Sequence, residues 1–205
     1  MSSRIRWTIL ALAVIGLGLS AAALVVHYRL LTDPTYVSPC NVNATFNCSE
    51  AYLSQYGSIA GVPVAFGGLI WFGLIASIVA FAATERPTST AAHYVLGLSG
   101  IGLAVIAYFA YVSFFVLGRG CPLCMGTYAC VLGIAALSKF ATSGSIGGIF
   151  THIGNDIASL PSRPAGFATG VLVLGLALWG AMTFPTERSV AAAAQTAAAT
   201  GTSMA

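Results

Sequence analysis

The chain has 205 residues, of which 58% are hydrophobic and 6% charged, and its mean hydropathy is +0.90. Soluble domains carry about 25% charged residues, so this composition excludes an ordinary soluble domain and marks a membrane protein. The formal net charge of +3 is scattered, with no basic patch and no interleaving of aromatic and basic residues, so nothing points to nucleic-acid binding.

Five runs carry no charge: 7–26, 60–83, 94–117, 122–138 and 165–183. Each lies near the ~20 residues needed to cross ~30 Å of hydrocarbon. Lipid offers backbone polar groups no partner and none of the runs alternates with period two, so all five predict helices. The expected fold is all-α, a polytopic membrane protein with five transmembrane helices. Arg4, Arg6, Arg86, Lys139 and Arg163 flank these runs on one side, against Arg29, Arg119 and Arg188 on the other. The positive-inside rule therefore predicts a cytoplasmic N-terminus. Cys40, Cys48, Cys121 and Cys124 then share the extracytoplasmic side, where disulfides persist.

The first run exceeds the roughly 7–15 apolar residues of a signal-peptide core, so it reads as a retained helix, with Gly16 and Gly18 at helix contacts. His27 at its end has no neighbouring carboxylate in sequence to orient it and reads as an interfacial anchor. Residues 33–47, rich in Pro, Asn, Ser and Thr, predict a flexible loop that carries Cys40. Residues 48–56 have the composition of a short amphipathic helix on the membrane surface, which would hold Cys48 against the bundle. Gly61-Val62-Pro63 breaks the chain just inside the second run, and Gly67-Gly68 thin the helix below it, for close packing or for a flat ring entering at that depth. The third run ends in Tyr108, Tyr111, Phe114 and Phe115, which read as an aromatic belt, with a ligand pocket as the alternative.

The fourth run opens on Cys121-Pro122-Leu123-Cys124. Proline suits a first helical position, and the free N–H groups there favour a thiolate, so such a pair passes easily between dithiol and disulfide. A structural disulfide or half of a metal site fits the same motif. Cys121, Cys124, Tyr128 and Val131 recur at spacings of three and four and share one helix face. Tyr128 is placed to hydrogen-bond a carbonyl oxygen on a ligand touching Cys124, or simply to sit at the interface. Cys130 lies ~9 Å deeper than Cys124 and ~120° around the axis, a packing position. The loop 139–164 is Gly/Ser-rich and carries no recognisable chemistry, and the fifth run reads as scaffold. Residues 1–184 thus form one integral membrane domain, and 185–205 an Ala/Thr-rich disordered tail.

Four cysteines allow three pairings. A pair fixed at a helix end and a pair in a loop suit a thiol–disulfide relay through mixed disulfides. A four-cysteine zinc site and an inert, disulfide-stapled protein are the alternatives, although a bundle already has the core that structural zinc supplies.

The combination of Cys40-x7-Cys48, Ser54, Phe66-Gly67, Phe114-Phe115-Val116-Leu117 and Cys121-x-x-Cys124-x3-Tyr128-Ala129 resembles the vitamin K epoxide reductase family in its bacterial, five-helix form, over roughly residues 7–183. The resemblance implies five helices around a four-helix quinone-binding core, and a quinone-linked thiol oxidoreductase in the inner (plasma) membrane. Such an enzyme reoxidises a periplasmic thioredoxin-fold protein of DsbA type and passes the electrons to membrane quinone, ubiquinone or menaquinone. By motif position Cys124 touches the quinone, with Cys121 as its partner. Cys48 exchanges with Cys121, and Cys40 faces the thiol donor. Tyr128 hydrogen-bonds the quinone, Phe66 and Leu117 wall the pocket, and Ser54 supports the loop helix. Pro63 stands where the animal enzymes have an asparagine, which weakens the case for vitamin K epoxide as substrate. No thioredoxin-like segment follows the fifth run, so the expected donor is a separate protein. The unrelated DsbB family does the same chemistry with its two cysteine pairs in the reverse order.

Overall fold

Ser2 begins the first helix, accepting the Ile5 N–H at 3.4 Å on its Oγ, and the chain then runs unbroken as α1 (Ser3–Thr32). The structure is a computed structural model. It describes residues 2–142 except 34, 44, 60, 86 and 87, together with 175, 178–180 and 182, and of 81–85 and 88–91 the backbone only. Beyond α1, Asp33 Oδ1 accepts from the N–H and Oγ of Thr35 and turns the chain into the loop. Asn47 caps the short helix α2 (Cys48–Leu53) by accepting the Glu50 N–H at 3.2 Å.

A two-residue hairpin follows, β1 (Ser58–Ile59) against β2 (Val62–Pro63), antiparallel with Ser58 opposite Pro63 and Ile59 opposite Val62. Gly61 makes the turn at φ +84°, in the left-handed region that glycine enters freely. The second apolar run therefore becomes helical at α3 (Val64–Glu85), four residues later than its first uncharged residue suggested. The α4 helix (Thr88–Tyr111) continues as a π-helical turn (Val112–Val116), in which Leu117 N–H reaches back to Val112 O at 2.9 Å. Among the described residues the last complete helix is α5 (Pro122–Ala141).

The α1 helix packs on α3 and α5, and α4 on α5 and α3. Ile9, Ala13, Phe72, Ile75, Val95, Val131 and Ile134 form the deep core, and Cys130 is buried among them, as a packing residue should be. The outward faces are equally apolar: Val14, Ile15, Val25, Ile101, Val105 and Leu132 are all exposed. A surface as apolar as the interior is what hydrocarbon requires. Among the described residues three helices are long and apolar enough to cross a membrane, Ser3–Thr32, Ala92–Val116 and Pro122–Ala141, while α3 carries a shorter apolar stretch, Val64–Ala80. Of the expected fifth span only 175, 178–180 and 182 are described, all helical; the loop 143–164 and the tail 185–205 lie outside the described residues.

Two glycines of α1 separate cleanly. A Cβ on Gly16 would run into the buried Phe72 ring of α3, whereas one on Gly18 would meet nothing within 4 Å. Gly16→Ala should therefore destabilise the bundle by about 1–3 kcal/mol, the usual cost of overpacking, while Gly18→Ala stays neutral. Thermal unfolding of the two variants in one detergent checks the contrast.

Candidate dithiol site and its cavity

The α5 helix begins on a sulfur. Cys121 is its N-cap, with Sγ accepting the Cys124 N–H at 3.3 Å, and Pro122 occupies the first helical turn. The expected geometry of the motif is thus present, and it points helix N–H groups at Cys121. Cys121 and Cys124 are both free. The loop pair is joined: Cys40 and Cys48 form a disulfide with Cα atoms 5.8 Å apart. With two of the four sulfurs bonded to each other, a four-thiolate zinc site loses half its ligands.

Cys48 Sγ lies 3.5 Å from Cys121 Sγ, so the two pairs touch. Cys48 and Cys121 are almost fully buried, and Cys40 is half-buried at the rim, where its Sγ contacts Ser38 Oγ at 2.9 Å. The loop is stitched to the end of the third span. Asn47 N–H donates to Gly120 O at 3.0 Å and Gly120 N–H to Thr45 O at 2.7 Å. The Phe46 ring lies flush on Gly120, where a Cβ would meet it at 2.8 Å. Arg119 and Glu50 pair at 2.9 Å beside this seam, and Asn41 brackets the disulfide by bonding Ser49 through both ends of its amide.

Tyr52 was not singled out by the sequence, yet it stands at the centre of the site. It lies one turn beyond Cys48 on the same buried face of α2, and its hydroxyl is 3.4 Å from Cys121 Sγ. The spacing of four along a cysteine-led helix was the available signal. Its ring stacks on His27 with centroids 5.6 Å apart and planes 18° apart. His27 is accordingly 1% exposed, not an interfacial anchor: the α2 helix covers it, a tertiary contact that sequence neighbours do not reveal.

The Cys121 thiol is drawn down from 9.0 to about 7. The hydrogen bond from the Cys124 thiol is the main cause, burial opposes, and the Tyr52 hydroxyl and the N–H groups of Cys124 and Leu123 assist. Burial first, and then the neighbouring sulfurs, push the Tyr52 phenol up, so it stays protonated.

Beside the dithiol is a cavity of about 620 Å³. Cys121, Cys124, Tyr128, Phe66, Leu117 and Ser54 all line it, so the residues that the resemblance assigns to the site border one space. Cys121, Cys124, Tyr128 and Val131, which the spacing puts on one face, all line that cavity. Ser54 also ends α2, donating to Ala51 O at 2.8 Å and accepting the Tyr56 N–H at 3.3 Å. Below it Trp71 is held by a hydrogen bond from Nε1 to Leu98 O at 3.0 Å. The two glycines of α3 divide their roles: a Cβ on Gly68 would meet Ser20 Oγ at 2.5 Å, while Gly67 borders the cavity with nothing within 4 Å. Leu178, one of the few described residues of the fifth run, also lines the cavity. Tyr108, Tyr111, Phe114 and Phe115 stay outside, exposed like a belt.

A disulfide set against a helix-capping dithiol, beside an apolar cavity in a membrane bundle, defines a thiol–disulfide oxidoreductase of the membrane. The chain matches the Vitamin K epoxide reductase family over residues 7–139. It is 30% identical over 138 residues to the Vitamin K epoxide reductase complex subunit 1 of Mus musculus, a stretch that covers 63% of this chain and 85% of that protein. The chain belongs to the vitamin K epoxide reductase family, whose members are oxidoreductases acting through thiols and disulfides.

The 3.5 Å contact has a direct consequence. A chain carrying Cys40→Ala and Cys124→Ala should close a Cys48–Cys121 disulfide under mild oxidation and leave Cys130 reduced. Peptide mapping of the non-reduced protein checks this, and Gly120→Val, which would displace Phe46, should lower the yield.

Proposed function

We propose that this chain is a quinone-dependent thiol oxidase that reoxidises a separate periplasmic thioredoxin-fold protein of DsbA type and passes the electrons to membrane quinone, supporting disulfide formation in exported proteins. The reading includes five transmembrane helices around a four-helix quinone-binding core in the inner (plasma) membrane, with the N-terminus cytoplasmic and the active cysteines extracytoplasmic. The observation that carries it is the continuity of sulfur from the rim to the cavity: half-buried Cys40, bonded Cys48, touching Cys121, and Cys124 on the cavity wall.

The steps balance as thiol exchange. A donor thiolate attacks Cys40 and breaks the Cys40–Cys48 bond, releasing the Cys48 thiolate. The second donor thiol resolves that mixed disulfide, so the donor leaves oxidised and Cys40 reduced. Cys48 then attacks Cys121 in a Cys121–Cys124 disulfide, and Cys124 leaves as thiolate. Cys40 attacks Cys48, expelling Cys121 and restoring the Cys40–Cys48 disulfide. What remains is a reduced Cys121–Cys124 pair beside the cavity, the state seen in the structure.

A quinone accepts two electrons and two protons, which returns that pair to the disulfide. The cavity suits such a ring: its volume is that of a small-molecule site, its walls are apolar, and its polar groups are few. In this reading Phe66 and Leu117 hold the ring faces, Tyr128 donates a hydrogen bond to a carbonyl oxygen, and Ser54 holds α2 over the opening. A DsbA-type oxidant sits near about −120 mV, so only a strong acceptor such as quinone can reoxidise it. Reduction of vitamin K epoxide by thiols is the second reading, favoured by the name of the mouse relative. Against it stands Pro63, buried on the cavity wall with no polar group to offer an epoxide oxygen.

Purified protein should reduce quinone when given a reduced thioredoxin-fold donor. Cys124→Ala should fall to background with every donor, and Cys40→Ala should lose protein-driven turnover while keeping turnover driven by a small dithiol. Absence of quinone reduction by the native chain with any donor defeats the proposal.

A further inference from the structure

The mixed disulfide between Cys48 and Cys121 has two exits. If Cys124 attacks Cys121, Cys48 is expelled and the electrons go back to the loop. If Cys40 attacks Cys48, Cys121 is expelled and the electrons stay at the cavity. The exit taken depends on which sulfur leaves more readily, and a thiol of lower pKa leaves faster. We infer that the Tyr52 hydroxyl is the hydrogen-bond donor that makes Cys121 the better leaving group and so commits electrons to the cavity. This inference rests on the relay proposed above.

The geometry gives Tyr52 this position. Its hydroxyl is 3.4 Å from Cys121 Sγ, and α2 fixes the ring one turn from Cys48, the sulfur from which Cys121 departs. The thiol S–H donates to the phenol oxygen; once the proton is gone the phenol O–H donates to the thiolate, joining the Cys124 N–H at 3.3 Å. A phenylalanine would fill the same space and stack on His27 equally well, so packing alone does not account for the hydroxyl. The surrounding groups leave it the role. On α5 are Cys124 and Tyr128, on α2 Cys48, and on α1 His27, across the Tyr52 ring from the sulfur. Glu50 and Arg119 are paired with each other at the rim, and the apolar stretch 64–80 of α3 has no titratable residue.

Tyr52→Phe removes the hydroxyl alone. With the Cys40–Cys48 disulfide intact, thiolate absorbance at 240 nm should show the Cys121 midpoint, near 7 in the native chain, rising by about one pH unit. During donor-driven turnover, acid quenching should trap several-fold more Cys48–Cys121 mixed disulfide, and the rate at pH 7 should fall roughly three- to tenfold. Full-length protein with 3-fluorotyrosine at position 52, a stronger donor of the same shape, should shift the midpoint the other way, and it carries the test if Tyr52→Phe does not fold. An unchanged midpoint with no added mixed disulfide overturns the role of Tyr52 and leaves the relay standing. If the Cys40→Ala, Cys124→Ala chain forms no Cys48–Cys121 bond at all, the relay is wrong and this inference falls with it.

Discussion

Two sulfurs 73 residues apart in sequence meet at 3.5 Å because a short seam of backbone holds the loop to the mouth of α5. That seam is the constraint on which the site depends. Its two backbone hydrogen bonds are each worth about 1 kcal/mol net, and the exposed Arg119–Glu50 pair adds less than that, so the docking is specific without being strong. Weak, precise docking suits a sulfur that must change partners. In the proposed relay Cys48 alternates between Cys40 and Cys121, and a rigid weld would hold it to one of them.

The bundle below serves a different end. Apolar side chains cover its outside as well as its inside, so close packing rather than hydrophobicity must bring the helices together, and small residues let them approach. Gly16 admits the Phe72 ring and Gly68 admits Ser20, which joins α1 to α3 tightly along the cavity wall. Directly above, Gly67 leaves open space where a side chain would intrude. The same pair of glycines therefore closes one face of α3 and opens the other. Trp71, tied across to Leu98, lines the same space.

Much of this was legible in the residues. The first four uncharged runs placed α1, α3, α4 and α5, Cys121 followed by proline announced a capped helix, and spacings of three and four put Cys121, Cys124, Tyr128 and Val131 on one face. These features are local, set by composition and by helix period. What sequence left hidden depends on contacts between distant segments. His27 sits at the end of an apolar span with no sequence partner, and only the return of α2 buries it under Tyr52. Tyr52 itself read as one more residue of a surface helix. The hairpin at Gly61 delayed the start of α3, because a run of apolar residues does not tell a two-residue strand from the first turn of a helix.

The two cysteine pairs differ in the way a one-way relay requires. Cys40 is half-buried in a polar loop beside Ser38, where a protein thiol can reach it, and it has no place on the cavity. Cys121 and Cys124 line the cavity under α2, where a protein donor cannot follow. Cys48, fully buried, is bonded to Cys40 and touches Cys121, and so links the rim to the cavity wall. Helix N–H groups and a neutral phenol converge on Cys121, so negative charge released by exchange is best accommodated there. Access decides where electrons can enter, and thiolate stability decides where they come to rest. In the proposed relay both favour passage from the loop to the cavity.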